Sequence, residues 1–411
     1  MKLAAVVVVL AVSRVLLDPA SGGSTRQDPP YTRVMPSLER PRVVAAANVF
    51  LTRAPQTITA FRAARSTGSL HDFFSEGDYW WPDPANPSGP YIRRDGESNP
   101  DNFVDHRRAL MRLSVEMPAL TAAWRLTGDT RYAEHARRHL RAWFVESATR
   151  MNADLRYAQA IHGVTTGRGT GIIDTIHLVE VARAIEVLRR GGMLPDEEFQ
   201  PIRGWFADYV SWMTTHPNGI EERDAKNNHG TCWVMQVAAF ASLTGDRESL
   251  DMCRTRFKNV LLPTQIAADG SFPLELERTK PYGYSLFNLD AMATTCQILD
   301  GPADRLRQGF GAQEAGRHED TLWTFQLADG RGMRRALAYM APFVADKQRW
   351  QRPRDVQYFD QWPMRHAALL FGGLALGEPR YVDLWKTLKA DSDVEEVVRN
   401  FFIRQPVLWV D

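Results

Sequence analysis

The stretch "DAKNNHGTC" at 224–232 sets two carboxamides, Asn227 and Asn228, directly before an imidazole, His229, with a small residue and a long apolar run behind them. Asn ahead of an apolar run predicts a helix N-terminus there. A second stretch, "DGSFPLELERTKPYGYSLFNLDAM" at 269–292, has the same plan: Arg278 and Lys280 lie six and four residues before Tyr284, which opens an apolar run. His229 and Tyr284 are therefore both expected where a loop turns into a helix. The positive end of a helix dipole favours an anion nearby. It also favours a neutral imidazole and a more accessible phenolate.

Such a set suits β-elimination from a uronic acid. The C5 proton is acidic only because it is α to a carboxyl group. The carboxylate must be neutralised, a base must take the proton, and an acid must protonate the departing O4. Asn227 and Asn228 can donate hydrogen bonds to the carboxylate where charge develops, and Arg278 can add positive charge. Tyr284 and His229 can exchange the protons. Neither metal nor cofactor is required. Mannuronate and glucuronate carry H5 and O4 on one face of the ring, so Tyr284 alone can act as base and then acid, with His229 assisting. Guluronate carries them on opposite faces and needs His229 as base and Tyr284 as acid.

Other stretches supply sugar-binding surface. "YWWPDPANPSGPYIRRDGESNPD" at 79–101 sets Tyr79, Trp80 and Trp81 near Arg93 and Arg94. Aromatic rings stack on a pyranose, and an arginine grips a carboxylate bidentately. The structural alternative is that the tryptophans cover the core and the charges face solvent. "RYAQAIHGVTTGRGTGIIDT" at 156–175 lacks the Gly-Lys-Ser/Thr ending of a phosphate loop, so nucleotide binding is excluded and Gln159, His162 and Arg168 remain as polar lining. His162 is read as structural. Lys280 and Tyr282 complete the substrate-binding set.

The elements that must hold these residues are helical. Leu178, Val181, Ile185 and Leu188 are spaced as one apolar helix face, as are Tyr132, Ala136, Leu140 and Trp143. "WRLTGDTRYAEHARRHL", "ASLTGDRESLDMCRTRF" and "GGLALGEPRYVDLWKTL" share one plan: an apolar helix, a Gly, an acidic residue (Asp129, Asp246, Glu378), and a second helix. Recurring hairpins predict an all-α chain folded as an α/α toroid, with its cleft formed by the loops at 79–101, 156–170, 224–230 and 276–284.

The 411 residues carry a net charge of +1, so no global field draws the chain to nucleic acid or an anionic membrane. Cys232, Cys253 and Cys296 lack metal-ligand spacing and read as buried thiols. "MKLAAVVVVLAV" has the basic start and apolar length of a secretory signal rather than a membrane span, which implies a periplasmic or secreted protein. The expected organisation is a signal at 1–20, a linker at 21–36 and one toroid domain at 37–411, with a solvated insertion at 300–330. The sequence leaves the oligomeric state open.

"KNNHGT", "ELERTKPYGYSLFNL" and "YWWPDP…GPYIRRDGESNPD" resemble the bacterial alginate lyase superfamily over most of the chain after about residue 40. The Asn-Asn-His core is similar to that of the family-five poly-mannuronate lyases. The Arg-to-Tyr spacing differs by one residue and points to a sister group of poly-mannuronate and glucuronan lyases. The resemblance implies an α/α toroid acting on an acidic polysaccharide. It implies Tyr284 as base and acid, His229 as its partner, and Asn227 or Asn228 with Arg278 as carboxylate neutralisers. Two other readings compete. A hydrolase would need two carboxylic acids across the cleft, from among Asp83, Asp95, Asp101 and Asp174. A non-catalytic polysaccharide-binding protein would not need the proton-transfer pair.

Overall fold

In the computed structural model, residues 30–301 and 321–410 are described. The helices are α1 (Pro30–Phe50), α2 (Asp105–Thr127), α3 (Thr130–Phe144), α4 (Leu178–Arg190), α5 (Asp196–Thr215), α6 (Pro217–Arg223), α7 (Asn228–Thr244), α8 (Arg247–Arg256), α9 (Leu262–Gln265), α10 (Pro273–Leu276), α11 (Pro281–Leu299), α12 (Met333–Ala345), α13 (Ala367–Ala375), α14 (Pro379–Thr387) and α15 (Glu395–Asn400). Four short strands accompany them: β1 (Phe74–Glu76), β2 (Trp80–Trp81), β3 (Ile92–Arg93) and β4 (Tyr157–Ala160).

Helices α2, α4, α7, α11 and α13 pack side by side as an inner series, and α1, α3, α5, α8 and α14 lie against it from outside. The result is the expected all-α toroid of hairpins. An inner helix is covered from several directions and must be apolar nearly all round. In α7, every residue from Gly230 to Ala241 is buried. An outer helix buries one stripe, as α3 does with Tyr132, Ala136, Leu140 and Trp143.

The repeated turns are built from a left-handed glycine and a cap. Gly128, Gly245 and Gly377 take φ of 76°, 78° and 65°, a region that costs glycine nothing. Asp129 accepts from Arg131 N and Asp246 from Ser249 N, capping α3 and α8. Glu378 breaks the pattern, because its carboxylate goes to Arg334 and Arg380 instead.

Buried polar groups tie the inner helices together and reach the loop before α7. Gln265 Oε1 accepts from Thr231 of α7 and Asn288 of α11, while its Nε2 donates to the Asn227 carbonyl at 3.0 Å. Glu180 of α4 accepts from the backbone of Arg404 and Gln405 and from Trp409 Nε1, which pins the C-terminal residues against α4.

Two expected boundaries move. The expected linker at 21–36 is shorter than its composition suggests, since the chain is already helical from Pro30 and Met35 is buried. The solvated stretch at 300–330 falls mainly outside the described residues. Of its described far end, Leu322 and Trp323 are buried, with their N–H groups turned to Asp300, while Gln326, Ala328 and Asp329 are exposed. The signal-like segment also lies outside the described residues. The three cysteines are buried and free, as expected. Among the described residues no helix is long and apolar enough to cross a membrane.

Candidate active site

The four loops expected to meet do meet, around a cleft of about 1080 Å³ lined by Tyr79, Trp80, Arg93, Gln159, Arg168, Asn227, Asn228, His229, Arg278 and Tyr284. That size lies just above the range for small-molecule sites, ~300–1,000 Å³, and suits an oligosaccharide.

The polar triplet at the start of α7 is held from three sides. Asn227 is the N-cap, and its Oδ1 accepts from His229 N at 3.3 Å. No described residue engages its carboxamide nitrogen. Asn228 donates both its backbone N–H and its Nδ2 to the buried carboxylate of Glu275, at 2.7 and 2.6 Å. An amide NH2 has two hydrogens, so one remains. His229 Nδ1 lies 2.6 Å from Glu222 Oε1. A carboxylate can only accept, so Nδ1 carries the proton, and in the neutral ring Nε2 keeps its lone pair. The small residue after His229 has a steric cause: a Cβ on Gly230 would stand 2.2 Å from the Ala225 carbonyl oxygen.

Across the cleft, the Tyr284 hydroxyl shares a 2.7 Å hydrogen bond with the Tyr79 hydroxyl. The Arg278 guanidinium lies 4.0 Å from the Tyr284 ring centre and donates to Asp95 at 3.0 Å. Asp95 also takes Arg93 at 2.6 Å and the Thr279 hydroxyl at 3.0 Å. Burial alone would raise the Asp95 carboxyl, but Arg278 and Arg93 outweigh it and bring it down to about 2.

The expectation for Tyr284 itself needs correction. Its surroundings were expected to favour the phenolate. Instead, burial pushes the phenol above its ordinary value, with Arg278 and the Tyr79 hydroxyl offsetting only part of the rise. Two reasons are visible. The Lys280 ammonium turns to Glu396 at 3.3 Å. The first free N–H groups of α11 are already met by the Asp355 carboxylate. Burial likewise raises the Tyr79 phenol.

Four residues assigned to substrate do not line the cleft, and backbone periodicity explains three of them. In the β2–β3 hairpin, Trp80 pairs with Arg93 and Trp81 with Ile92. Side chains alternate along a strand, so neighbours cannot share a face. Trp80 and Arg93 therefore take the cleft face. Trp81 and Arg94 take the other, packed together at 5.1 Å, with Trp81 Nε1 donating to the Glu97 carbonyl. Tyr282 lies two residues before Tyr284 on one helix, about 200° round the axis. It is fully buried against Trp350 and Phe359, and its hydroxyl donates to the Phe343 carbonyl. Lys280 is buried behind the cleft between the rings of Tyr79 and Tyr358, at 5.4 and 5.1 Å.

Gln159 and Arg168 form one wall. The Arg168 guanidinium donates to Gln159 Oε1 at 2.8 Å and lies 5.8 Å from the Trp80 ring. Gln159 has φ of 49°, a left-handed conformation rare for a residue with a side chain and typical of functional sites. His162 stays apart, its ring against Tyr91.

The sequence reading missed Glu222, Glu275 and Arg399. Arg399 reaches the cleft from α15 and pairs with Asp78, which also binds Arg107 at 2.7 Å. Glu222 lies seven residues before His229 and Glu275 three before Arg278, but only the fold turns their carboxylates toward α7. Of the four acids nominated for a hydrolase, only Asp95 lines the cleft.

A family model described as alginate lyase matches residues 57–350, most of the chain. The chain belongs to the alginate lyase family. Like that family it is a polysaccharide lyase. An alginate lyase from Bacteroides ovatus, solved as a crystal structure, superposes with a TM-score of 0.74 at 27% identity, over 89% of this chain and 93% of that one. Two variants of alginate lyase A1-III complexed with a tetrasaccharide superpose at TM-scores of 0.53 and 0.51. Each is 14% identical over 93% of this chain and 98% or 99% of the other, and these show the shared fold alone. No curated protein sequence matches the chain at a significant level.

Proposed function

We propose that this lyase cleaves a β-1,4-linked polyuronate, alginate rich in mannuronate or glucuronan, by syn β-elimination that leaves a 4,5-unsaturated uronate end. The observation that carries the reading is the juxtaposition of the Tyr284 hydroxyl, the Arg278 guanidinium at 4.0 Å from its ring and the Asn-Asn-His triplet around one cleft.

In this reading the sugar carboxylate lies against the free amide hydrogens of Asn227 and Asn228 and the charge of Arg278. Glu275 orients Asn228 from behind. The Tyr284 phenol is neutral at rest, since burial holds its proton. It becomes a base when that proton passes to water in the open cleft, and the Tyr79 hydroxyl and Arg278 stabilise the phenolate left behind. Tyr284 then takes the C5 proton and returns one to O4. His229, oriented by Glu222, supports the carboxylate. For guluronate, His229 would act as base on the opposite face, through the nitrogen that Glu222 leaves free.

The hydrolase reading is weaker. Asp95, held at about 2 by Arg278 and Arg93, cannot serve as a general acid at neutral pH. The basic and then apolar start of the chain supports export to the periplasm or beyond.

Incubation with poly-mannuronate, poly-guluronate, glucuronan and mixed alginate tests the substrate. Ultraviolet-absorbing product is expected from poly-mannuronate or glucuronan faster than from poly-guluronate. A preference for poly-guluronate would move the base to His229. Trp80, on the cleft face of its hairpin, is expected to stack on sugar equally in ground and transition states. Trp80→Ala should therefore raise KM by roughly 2–10-fold, the worth of an aromatic contact, with kcat nearly unchanged in steady-state assays.

A further inference from the structure

The segment 353–362 lies beyond the residues that the family model matches. It braces the first turn of α11, which carries Tyr284. A helix N-terminus leaves N–H groups without intrahelical partners. In α11 the accounting is complete. Pro281 has no N–H. Tyr282 N and Gly283 N donate to the two oxygens of Asp355 at 2.8 and 2.9 Å, and Tyr284 N donates to the Lys280 carbonyl at 2.9 Å. Lys280, the N-cap residue, makes no side-chain cap of its own. Asp355 is thus the cap, supplied from a distant part of the chain. The approach is close enough to require glycine: a Cβ on Gly283 would stand 2.8 Å from Asp355 Oδ2.

The brace is itself held. Val356 N donates to the Thr279 carbonyl at 3.0 Å, and Lys347 Nζ donates to the carbonyls of Phe359 and Trp362 at 2.8 and 2.9 Å. Tyr358 takes φ of 63°, and its ring packs on the Lys280 ammonium, which also meets the Tyr79 ring and Glu396. One segment therefore touches the supports of both tyrosines whose hydroxyls meet at 2.7 Å.

We propose that Asp355 is a positioning residue for the elimination: its carboxylate fixes the first turn of α11 and so sets the Tyr284 hydroxyl against Tyr79 and the substrate. The inference rests on the lyase reading above. An ionised cap holds both N–H groups by charge-assisted bonds, and a protonated one holds them less well. Burial pushes the Asp355 carboxyl up, against the pull of the Gly283 and Tyr282 N–H groups and of Lys280 and Lys347, to about 6. The other titratable groups around the small cavity beside it are Glu396, Tyr358 and Tyr284. The carboxylate form is present above about pH 6 and is lost as pH falls through that value, so kcat should show an added downward step near pH 6, on top of the slope set by the Tyr284 phenolate.

The test compares wild type, Asp355→Asn, Gly283→Ala and, as a control on the same segment, Asp360→Asn, whose exposed carboxylate pairs with Arg354. For each, kcat and KM are measured from acid to alkaline pH on the polyuronate that wild type cleaves, with folding checked by circular dichroism. Asp355→Asn is expected to lower kcat about tenfold, the scale of one charge-assisted hydrogen bond. KM should stay within about twofold, because a residue acting only on the placement of Tyr284 leaves ground-state binding alone; the added step near pH 6 should disappear, leaving the shallower slope set by the Tyr284 phenolate. Gly283→Ala, which displaces the same carboxylate, should lower kcat in the same way, and Asp360→Asn should match wild type. A folded Asp355→Asn or Gly283→Ala with wild-type kcat, or Asp355→Asn with the step near pH 6 intact, overturns the proposal. Failure of wild type itself to form unsaturated product would instead count against the lyase reading.

Discussion

Tyr284→Phe is expected to lower kcat by about 10²–10⁴-fold, the range ascribed to general acid–base catalysis, while substrate still binds. The substitution removes one oxygen and keeps the ring, which packs beneath Arg278. Asn227, Asn228 and Arg278 all remain for the carboxylate, so KM should change little. The wild-type pH profile should carry the same signature. Because burial raises the phenol, little phenolate is present at neutral pH, and the fraction grows as pH rises. Wild-type kcat should therefore climb into the alkaline range, and the residual activity of Tyr284→Phe should lack that climb. On a syn substrate His229→Ala should cost less than Tyr284→Phe. Initial rates of double-bond formation for both variants decide this, with circular dichroism to confirm folding.

Arg278→Ala is expected to lower kcat by about 10²–10³-fold, the scale of removing one donor from a site of developing charge. Two effects combine. The carboxylate gains electron density in the transition state, where a guanidinium matters most. The same guanidinium lies 4.0 Å from the Tyr284 ring centre and favours its phenolate, so its loss makes the base harder to generate. Arg278→Lys should rescue little, since Asp95 holds Arg278, Arg93 and Thr279 in one geometry that a flexible ammonium does not reproduce. Steady-state kinetics on both variants check the assignment. A loss confined to KM would mean that Arg278 only binds the chain.

The fold was legible because its signals are local. Gly128 with Asp129 and Gly245 with Asp246 mark hairpin turns that any helix end would use, and the apolar stripes set inner and outer layers. The polar triplet and Tyr284 were legible because both begin apolar helices. What failed was orientation. "YWW" and "PYGY" put aromatics next to one another, and only the strand and helix repeats decide that Trp80 and Tyr284 face the cleft while Trp81 and Tyr282 do not. The supporting carboxylates were not legible. Glu222, Glu275 and Asp355 act across the fold on His229, Asn228 and the start of α11. No spacing along the chain records that. The same missing partners explain why the Tyr284 phenol was expected to be lowered: the ammonium of Lys280 and the end of α11 were counted as free, and both are occupied.

The glycosidic bond is expected to break by elimination rather than by attack of water. Digestion of poly-mannuronate and of glucuronan in water enriched in heavy oxygen, followed by mass spectrometry of the fragments, tests it directly. Elimination predicts new non-reducing ends that carry a C4–C5 double bond and new reducing ends in which the bridging oxygen is the one already present in the polymer, unlabelled apart from the slow exchange seen in a sugar control. Saturated ends with heavy oxygen incorporated at each cut would contradict the account and return the cleft to a hydrolase.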